Sequence, residues 1–322
     1  MSAAVLLKVS DLRKHFPVRK GIFGRAAGKV HAVDGISFSI HEGETLGLVG
    51  ESGCGKSTAG KTILRLIEPT SGTIEWCGKR IDGLDRAGMR PFRQELQAVF
   101  QDPYSSLNPR MRASDIVAEP IRNYEKASRA EIAERVAYLF SKVGLRADQL
   151  VKYPYEFSGG QRQRLGIARA LAMQPKLIVC DEPVSALDVS VQAQVINLLE
   201  DLQAEFGVSY LFVAHDLAVV EHISNRVAVM YLGKILELTD RRSLFRNPQH
   251  PYTEALLSAV PLPYPKARKK RIILAGDVPS PITPPLGCRF HTRCPYAEER
   301  CRKEEPLMKQ VQPGHHVACH LR

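Results

Sequence analysis

Residues 50–57 read Gly-Glu-Ser-Gly-Cys-Gly-Lys-Ser and match the phosphate-loop pattern G-x-x-x-x-G-K-S/T. The apolar run 46–49 leads into this segment, and apolar residues at helical spacing follow it as far as Pro69. Because a strand before such a loop and a helix after it confirm the pattern, the sequence predicts an α/β nucleotide-binding domain. The alternative, a glycine-rich turn with a chance lysine, explains neither flank.

The loop residues have predicted roles in binding a nucleoside triphosphate. Glycines let backbone N–H groups converge on phosphate oxygens, and the following helix adds its positive N-terminal end. Lys56 is predicted to reach the β and γ phosphates, and the Ser57 hydroxyl to bind Mg²⁺. The predicted ATP contacts in this segment are Gly50, Ser52, Gly53, Cys54, Gly55, Lys56, Ser57 and Thr58.

Two further apolar runs, 177–180 and 210–213, have the composition of strands that are buried on both faces. A helical stripe lies between them and stops at Gly207. The stripe consists of Val191, Val195, Leu198, Leu202 and Phe206. This pattern predicts a parallel βαβ arrangement with a covered sheet.

Two acidic residues, Asp181 and Glu182, follow the first of these runs. This places them at the carboxyl end of a core strand, where α/β sheets bind ligands. Asp181 is predicted to hold Mg²⁺ through its water shell, and Glu182 to polarise the water that attacks the γ-phosphate. A solvated acidic loop is the alternative, which the upstream phosphate loop disfavours.

A second glycine motif, Ser158-Gly159-Gly160-Gln161, stands about a hundred residues after the phosphate loop. Ser158 can cap a helix whose apolar positions include Leu165, Ile167 and Leu171. The free N–H groups and positive end of that helix predict a second anion site. An ordinary Gly-Gly helix entry is the alternative.

Composition changes along the chain predict two domains. Residues 102–172 start with a turn-rich segment and continue with helical patterns, which predicts a helical insertion in the α/β core. Alternation from Arg226 to Leu238 predicts a hairpin. Prolines from 261 to 285 indicate a linker into a poorly helical extension, so the predicted domains are 1–260 and 261–322.

The order of these motifs resembles that of the ABC-type ATPases. The resemblance implies an α/β P-loop core with a RecA-like sheet and an antiparallel β subdomain, an inserted α-helical subdomain and a small cysteine-containing extension. It also implies that Gln101 lies near Mg²⁺ and the attacking water, and that His215 contacts the γ-phosphate. Together with Glu182 these are the predicted catalytic residues. The implied contacts to ATP on an opposite subunit are Ser158, Gly159, Gly160, Gln161 and Asp188.

The adenine contact is predicted at Phe16, because residues 12–16 resemble the N-terminal segment that supplies a stacking aromatic in this class. A core phenylalanine is the alternative. The glycine-rich and basic residues 18–29 predict a loop between the first strands.

Residues 100–110, 181–190, 247–253 and 279–281 resemble the ATPases of dipeptide and oligopeptide importers, nearest the second ATPase subunit of a dipeptide importer. The implied partners are a second ATPase subunit, expected to be a paralogue, two transmembrane permease subunits and an external peptide-binding protein. ATP would close the ATPase pair, and hydrolysis would reopen it to drive import. Nickel and other small-solute importers share these motifs, so both kinds of cargo stay open.

Four of the seven cysteines, at positions 288, 294, 301 and 319, fall within 32 residues. In a cytosolic protein such clustering favours metal binding over disulfides. Thiolates suit either a 4Fe-4S cluster or Zn²⁺, and the spacings fit neither the ferredoxin run nor the short zinc pairs. Histidines that could complete a zinc site are His291, His315, His316 and His320. The importer resemblance favours 4Fe-4S ligated by Cys288, Cys294, Cys301 and Cys319.

Charge and hydropathy limit the classes of partner. The net charge is +11, but no nucleic-acid motif accompanies it, so we expect no nucleic-acid partner. No stretch of eighteen uncharged apolar residues is present, and the start lacks a signal-peptide pattern. We therefore expect a peripheral protein that reaches the cytoplasmic face of the cell membrane through its partners.

Two other classes compete with an importer subunit. Soluble ABC ATPases that act on nucleic acid or ribosomes usually carry two ATPase units or a long coiled coil, and the sequence has neither. Stand-alone P-loop kinases and GTPases have no use for residues 158–161, and no N-K-x-D segment is present. An importer ATPase is the prediction that uses all the motifs.

Overall fold

The computed structural model describes residues 4–20, 25–260 and 271–322. Contacts within the chain divide these residues into two compact units. The first unit comprises Ala4 and residues 41–44 and 84–213. The second comprises the described parts of residues 5–40, 45–83 and 214–322.

The described residues form twelve strands and eleven α-helices, each numbered in chain order. The strands are β1 (Val5–Lys20), β2 (Arg25–His41), β3 (Thr45–Val49), β4 (Ser71–Trp76), β5 (Lys79–Arg80), β6 (Leu96–Val99), β7 (Leu177–Asp181), β8 (Ser209–Ala214), β9 (Arg226–Tyr231), β10 (Lys234–Asp240), β11 (Lys309–Gln312) and β12 (His315–Val317). The helices are α1 (Lys56–Ile63), α2 (Phe92–Glu95), α3 (Pro103–Ser106), α4 (Ala113–Tyr124), α5 (Arg129–Lys142), α6 (Gly159–Leu171), α7 (Val189–Phe206), α8 (Leu217–Ile223), α9 (Arg241–Arg246), α10 (Pro251–Ser258) and α11 (Glu299–Lys303). Short 3-10 helices occupy Ala147–Gln149 and Pro154–Glu156.

The first unit contains a parallel sheet in the order β8-β7-β6. Every residue of β7 is buried, which explains why its sequence is continuously apolar up to Asp181. Helix α7 follows and ends at Gly207, whose φ of 66° lies in the left-handed region that glycine adopts without strain. The βαβ arrangement predicted from the two apolar runs and the stripe between them is confirmed.

Helices fill the region between β6 and β7 of the first unit. Helices α4, α5 and α6 pack against one another and bury Ile116, Val136 and Leu165. Ser128 starts α5 with a capping box: its hydroxyl accepts a hydrogen bond from the Glu131 N–H, and the Glu131 carboxylate accepts one from the Ser128 N–H. The helical character predicted for this region is thus encoded by both apolar spacing and caps.

The second unit contains two sheets. An antiparallel sheet has the order β2-β1-β4-β5, with Leu7 opposite Trp76 and Val9 opposite Ile74. The other set of strands has the order β11-β12-β10-β9-β3, in which β3 runs parallel to β9 and the rest pair antiparallel. The predicted strand, loop and helix are confirmed as β3, residues 50–55 and α1.

The hairpin predicted from Arg226 to Leu238 is confirmed as β9 and β10, which are joined through Leu232 and Gly233. The C-terminal region then adds to the same sheet, because His316 of β12 lies opposite Leu238 of β10. Neither β11 nor β12 was predicted, since strands of four and three residues carry too little alternation to detect.

The loop predicted for residues 18–29 is wrong for most of its length. Strand β1 continues to Lys20 and β2 begins at Arg25, so the described residues on both sides are strand. Residues 21–24 lie outside the described residues. Glycine and lysine are depleted in strands, so the composition of this segment favoured a loop over a strand.

In the part of the chain that the structure describes, no helix is both long enough and apolar enough to span a membrane.

Candidate functional site

The phosphate-loop segment of the second unit wraps closely around neighbouring backbone. A Cβ on Gly55 would lie 1.9 Å from the Ala32 carbonyl oxygen, and one on Gly50 would lie 2.1 Å from that of Met230. Gly55 also has a φ of 108° immediately before α1. Both positions therefore need glycine, for close approach and, at Gly55, for its backbone conformation.

Lys56 begins α1 and is 4% exposed. Its ammonium donates to the carbonyl oxygens of Gly50 at 2.8 Å and Glu51 at 3.1 Å. Burial raises the pKa of the neighbouring Cys54 thiol, although the Lys56 charge opposes this, so Cys54 contributes a neutral group. The loop thus holds a buried ammonium against two of its own backbone carbonyl groups.

In the first unit, two predicted catalytic residues meet. The Gln101 side-chain amide donates a hydrogen bond to a carboxylate oxygen of Glu182 at 3.1 Å. Gln101 follows the end of β6, and Glu182 follows β7, the neighbouring parallel strand. The carboxyl ends of parallel strands share one edge of a sheet, and this brings the two side chains together.

The backbone at Glu182 is held in a sparsely populated conformation. Its φ is 47°, which a residue with a side chain seldom adopts. Its N–H donates to the Val213 carbonyl at 2.9 Å, and its own carbonyl accepts from the Ser185 hydroxyl at 3.1 Å. These bonds direct the chain away from the sheet just after buried Asp181. Residues in such conformations are concentrated at functional sites.

The second glycine motif forms the N-terminus of α6, as predicted. The Ser158 hydroxyl accepts from the Gln161 N–H at 3.3 Å, and the Gln161 side-chain oxygen accepts from the Ser158 N–H at 3.0 Å. Ser158 and Gly159 are exposed, so the positive end of the helix faces solvent.

The N-termini of α6 and α7 lie side by side. A Cβ on Gly160 would lie 2.4 Å from a methyl carbon of Val191. Asp188 caps α7 by accepting a hydrogen bond from the Val191 N–H at 3.0 Å. The hydrogen bond from the Ser190 hydroxyl, and then that from the Val191 N–H, lower the pKa of the Asp188 carboxyl. The structure thus brings the predicted trans-contact residues of the two motifs onto one exposed surface of the first unit.

Two other predicted residues belong to the second unit. His215 is exposed and follows β8, one residue before Asp216, which caps α8. Phe16 lies on β1, where it is partly exposed and has the Lys14 ammonium 4.9 Å from its ring centroid. A partly exposed ring disfavours the alternative of a core phenylalanine.

The four clustered cysteines approach one another in the second unit. All four are free, and three of them are buried. The Cys288 N–H donates to the Cys301 carbonyl at 2.8 Å. Burial raises the pKa of the Cys288 thiol to about 11, and the charges of Cys301, Cys319 and Cys294 act in the same direction. The four cysteines of this 32-residue stretch therefore lie in one region of the second unit.

Another potential metal group in the second unit consists of His15, His31 and Asp34, whose ligand atoms lie within 4.8 Å of one another. The Asp34 carboxylate already contacts two guanidinium groups, from Arg13 and Arg289. Burial raises the pKa of Asp34, but the hydrogen bond from His15 and the charge of Arg289 outweigh burial, so the pKa is lowered overall. Two nearby cations repel a third, so this group is best explained as a buried ion-pair network.

Sequence reasoning missed the partners of Glu51. The Arg293 guanidinium donates to both Glu51 carboxylate oxygens, at 2.7 and 3.2 Å. The Glu51 N–H donates to the Tyr252 hydroxyl at 2.9 Å. No local sequence signal could reveal these contacts, because Arg293 follows Glu51 by 242 residues.

The fold and the glycine loop define an ABC-type ATPase. Residues 33–185 match the ABC transporter family model, and residues 236–301 match that of the oligopeptide/dipeptide transporter C-terminal region. The ATP-binding cassette MJ0796, solved as a dimer after hydrolysis with ADP and Pi, is similar with a TM-score of 0.66 and 28% identity, over 74% of this chain and 99% of that one. CbiO1 from Clostridium perfringens is similar with a TM-score of 0.65 and 29% identity, over 76% and 91%.

Curated relatives match almost the whole chain. The oligopeptide transport ATP-binding protein AppF of Bacillus subtilis is 54% identical over 98% of this chain and 97% of its own length. The oligopeptide transport ATP-binding protein OppF of Escherichia coli is 52% identical over 98% and 96%. The chain belongs to the ABC transporter ATPases that carry an oligopeptide/dipeptide transporter C-terminal region. Its activity is ATP hydrolysis coupled to transport, and its cofactors are ATP and Mg²⁺.

Proposed function

We propose that this chain is the ATP-hydrolysing subunit that powers import of di- and oligopeptides across the cytoplasmic membrane. The proposal rests on one observation: the chain matches both family models and is at least 52% identical to AppF and OppF along almost its whole length. Its domains would be the ATPase, 1–260, with its helical part at about 102–172, and the extension 261–322.

The ATP site would be the loop 50–58 with Phe16 against adenine. The buried ammonium of Lys56, which the carbonyl groups of Gly50 and Glu51 hold inside this loop, supports the assignment. Ser57, Gln101 and Asp181 would hold Mg²⁺, which neutralises phosphate charge when bound.

Hydrolysis would depend on three residues of this chain. Glu182 would accept a proton from the attacking water, and Gln101, its hydrogen-bond partner, would orient the carboxylate and the water. His215 would contact the γ-phosphate. The constrained backbone of Glu182 supports a functional role, because it fixes the direction in which the side chain leaves the main chain.

The exposed N-terminus of α6 would contact ATP held by a second ATPase subunit, a paralogue. The positive end of this helix suits a phosphate. The residues that would make this contact are Ser158, Gly159, Gly160 and Gln161. Asp188, at the N-terminus of the adjacent helix α7, would extend the interface with the second subunit. Binding of ATP would then close the pair.

The pair would dock beneath two transmembrane permease subunits at the cytoplasmic face of the membrane, and an external peptide-binding protein would deliver cargo. Reconstitution of the full complex in vesicles tests this proposal. ATP-dependent accumulation of labelled di- or oligopeptide, lost in Lys56→Ala, is expected. Transport of nickel without peptide would favour the alternative cargo, and co-purification with ribosomes in place of membrane subunits would contradict import.

The four-cysteine group would bind a 4Fe-4S cluster with a structural role. Four free thiols that lie close together and are largely buried fit such a group chemically.

Anaerobic purification of the full chain tests the cluster. We expect brown protein with iron and acid-labile sulfide, and loss of both in Cys301→Ser. Cys77→Ser is the matched control, because Cys77 is an exposed thiol outside the group. Colourless protein with one zinc per chain would contradict the proposal.

A further inference from the structure

The segment 288–294, which carries the first two clustered cysteines, contacts the phosphate loop inside the second unit. Arg293 forms two parallel hydrogen bonds with the Glu51 carboxylate. The Arg293 side chain is 10% exposed and that of Glu51 is 27% exposed. Paired, charge-assisted bonds with so little water around them define both position and charge more firmly than a surface ion pair does.

Glu51 is also fixed at its backbone. Its N–H donates to the hydroxyl of Tyr252, a side chain with no exposed surface. Its carbonyl accepts from the Lys56 ammonium at 3.1 Å. A shift of Glu51 would therefore move an acceptor that holds the loop lysine.

Two other residues of the segment support the same loop. The buried Phe290 ring lies 5.3 Å from Tyr252 and 5.4 Å from Tyr231 between centroids. The Arg289 guanidinium donates to the Leu232 carbonyl at 3.0 Å. Gly233, the residue after Leu232, donates from its N–H to the Cys54 carbonyl at 2.9 Å. The segment thus contacts the loop directly at Glu51 and indirectly at Cys54, through the Leu232-Gly233 turn.

The charge of Glu51 makes its pairing important for ligand binding. A loop that binds triphosphate places several negative charges close to its backbone, and an uncompensated carboxylate on that loop would repel them. Arg293 is the guanidinium that balances this carboxylate.

We infer that Arg293 is a positioning residue for ATP binding: it neutralises Glu51, holds the phosphate loop, and so makes the cysteine-bearing segment a determinant of nucleotide affinity. This inference rests on the proposed assignment of residues 50–58 as the ATP site. Arg293 acts through Glu51 and needs no contact with the nucleotide.

A double-mutant cycle on the full chain tests the inference. Equilibrium binding of a fluorescent ATP analogue is measured without Mg²⁺ for the wild type, Arg293→Gln, Glu51→Gln and the double variant. We expect Arg293→Gln to weaken binding roughly tenfold, and the double variant to regain most of that loss because the repelling carboxylate is gone. Unchanged affinity in Arg293→Gln, or no recovery in the double variant, would overturn the inference.

Arg293→Lys is the second variant if Arg293→Gln does not fold. It keeps the charge but not the paired bonds, so we expect about threefold weaker binding and faster amide hydrogen exchange in residues 51–55. Wild-type exchange there, with wild-type affinity, would overturn the inference. The matched control is Arg300→Gln, which breaks an exposed ion pair with Glu304 in the same extension and should leave affinity unchanged.

Lys56→Ala separates this inference from the proposed function. If Lys56→Ala binds the analogue as well as the wild type does, the ATP-site assignment fails, and the inference fails with it. If Lys56→Ala loses binding and the Arg293 variants do not, the assignment stands and the inference alone is refuted.

Discussion

The side-chain amide of Gln101 donates a hydrogen bond to the Glu182 carboxylate across the ends of two adjacent parallel strands, at 3.1 Å. An amide donor in this position stabilises and orients a carboxylate without neutralising it. The pair therefore places a potential base at the sheet edge where ligands bind in α/β proteins.

Glu182→Gln is expected to bind ATP normally and to lower turnover at least about 100-fold, because an amide cannot accept the proton of the attacking water. Phosphate release and nucleotide affinity, both measured on the assembled complex, check this. Glu134→Gln, at an exposed position of α5, is the control. Near-normal hydrolysis by Glu182→Gln would remove this residue from the proposed role.

Ser158→Arg is expected to leave the ATP affinity of this chain unchanged and to lower hydrolysis at its partner's site more than about tenfold. The reason is that the substitution fills the exposed end of α6 and removes its cap, which contributes about 1 kcal/mol. Ser128→Arg removes an equivalent cap from α5, so it should cost similar stability without affecting hydrolysis. Equal loss of activity in both variants would argue against a contact in trans.

Gly160→Ala is expected to destabilise the protein by about 1–3 kcal/mol, because the added Cβ would meet a Val191 methyl carbon at 2.4 Å. Gly166, on the same helix, has open space at its Cβ position. Gly166→Ala should therefore leave stability unchanged or raise it by up to about 1 kcal/mol. Chemical denaturation measures both, and indistinguishable midpoints would contradict the packing described for α6 and α7.

Glu237 is expected to make folding stability depend on acid pH. Burial raises its pKa, but hydrogen bonds from His315 and from the N–H groups of Gln249 and His250 lower it overall. A folded-state pKa below the unfolded value means that the stabilisation is complete above about pH 4.5 and is lost as pH falls through the folded value.

Glu237→Gln should therefore cost about 3 kcal/mol near neutral pH and flatten the pH dependence of stability between about pH 5 and 2. Denaturant titrations at several pH values check this. Glu298→Gln, at an exposed position of the extension, is the control. A Glu237→Gln profile parallel to that of the wild type would show that Glu237 titrates alike in both states.

Patterns confined to short segments were predictable. The phosphate loop needs glycine at close approaches such as Gly55, and α6 needs a cap such as Ser158, so each leaves its mark within a few residues. The apolar runs of β7 and β8 likewise follow from burial on both faces. The long β1 and β2 and the short β11 and β12 escaped prediction because neither length nor alternation matched an ordinary strand.

The sequence by itself determined the class of this protein, since the motifs for binding and hydrolysing ATP each require particular residue types at fixed local spacing. Only the tertiary structure decided that Gln101 meets Glu182 and that Arg293 pairs with Glu51. These contacts join residues far apart in the chain, and their geometry depends on how strands and loops pack. The extension, which sequence patterns separated from the ATPase core, thereby contributes directly to holding the phosphate loop.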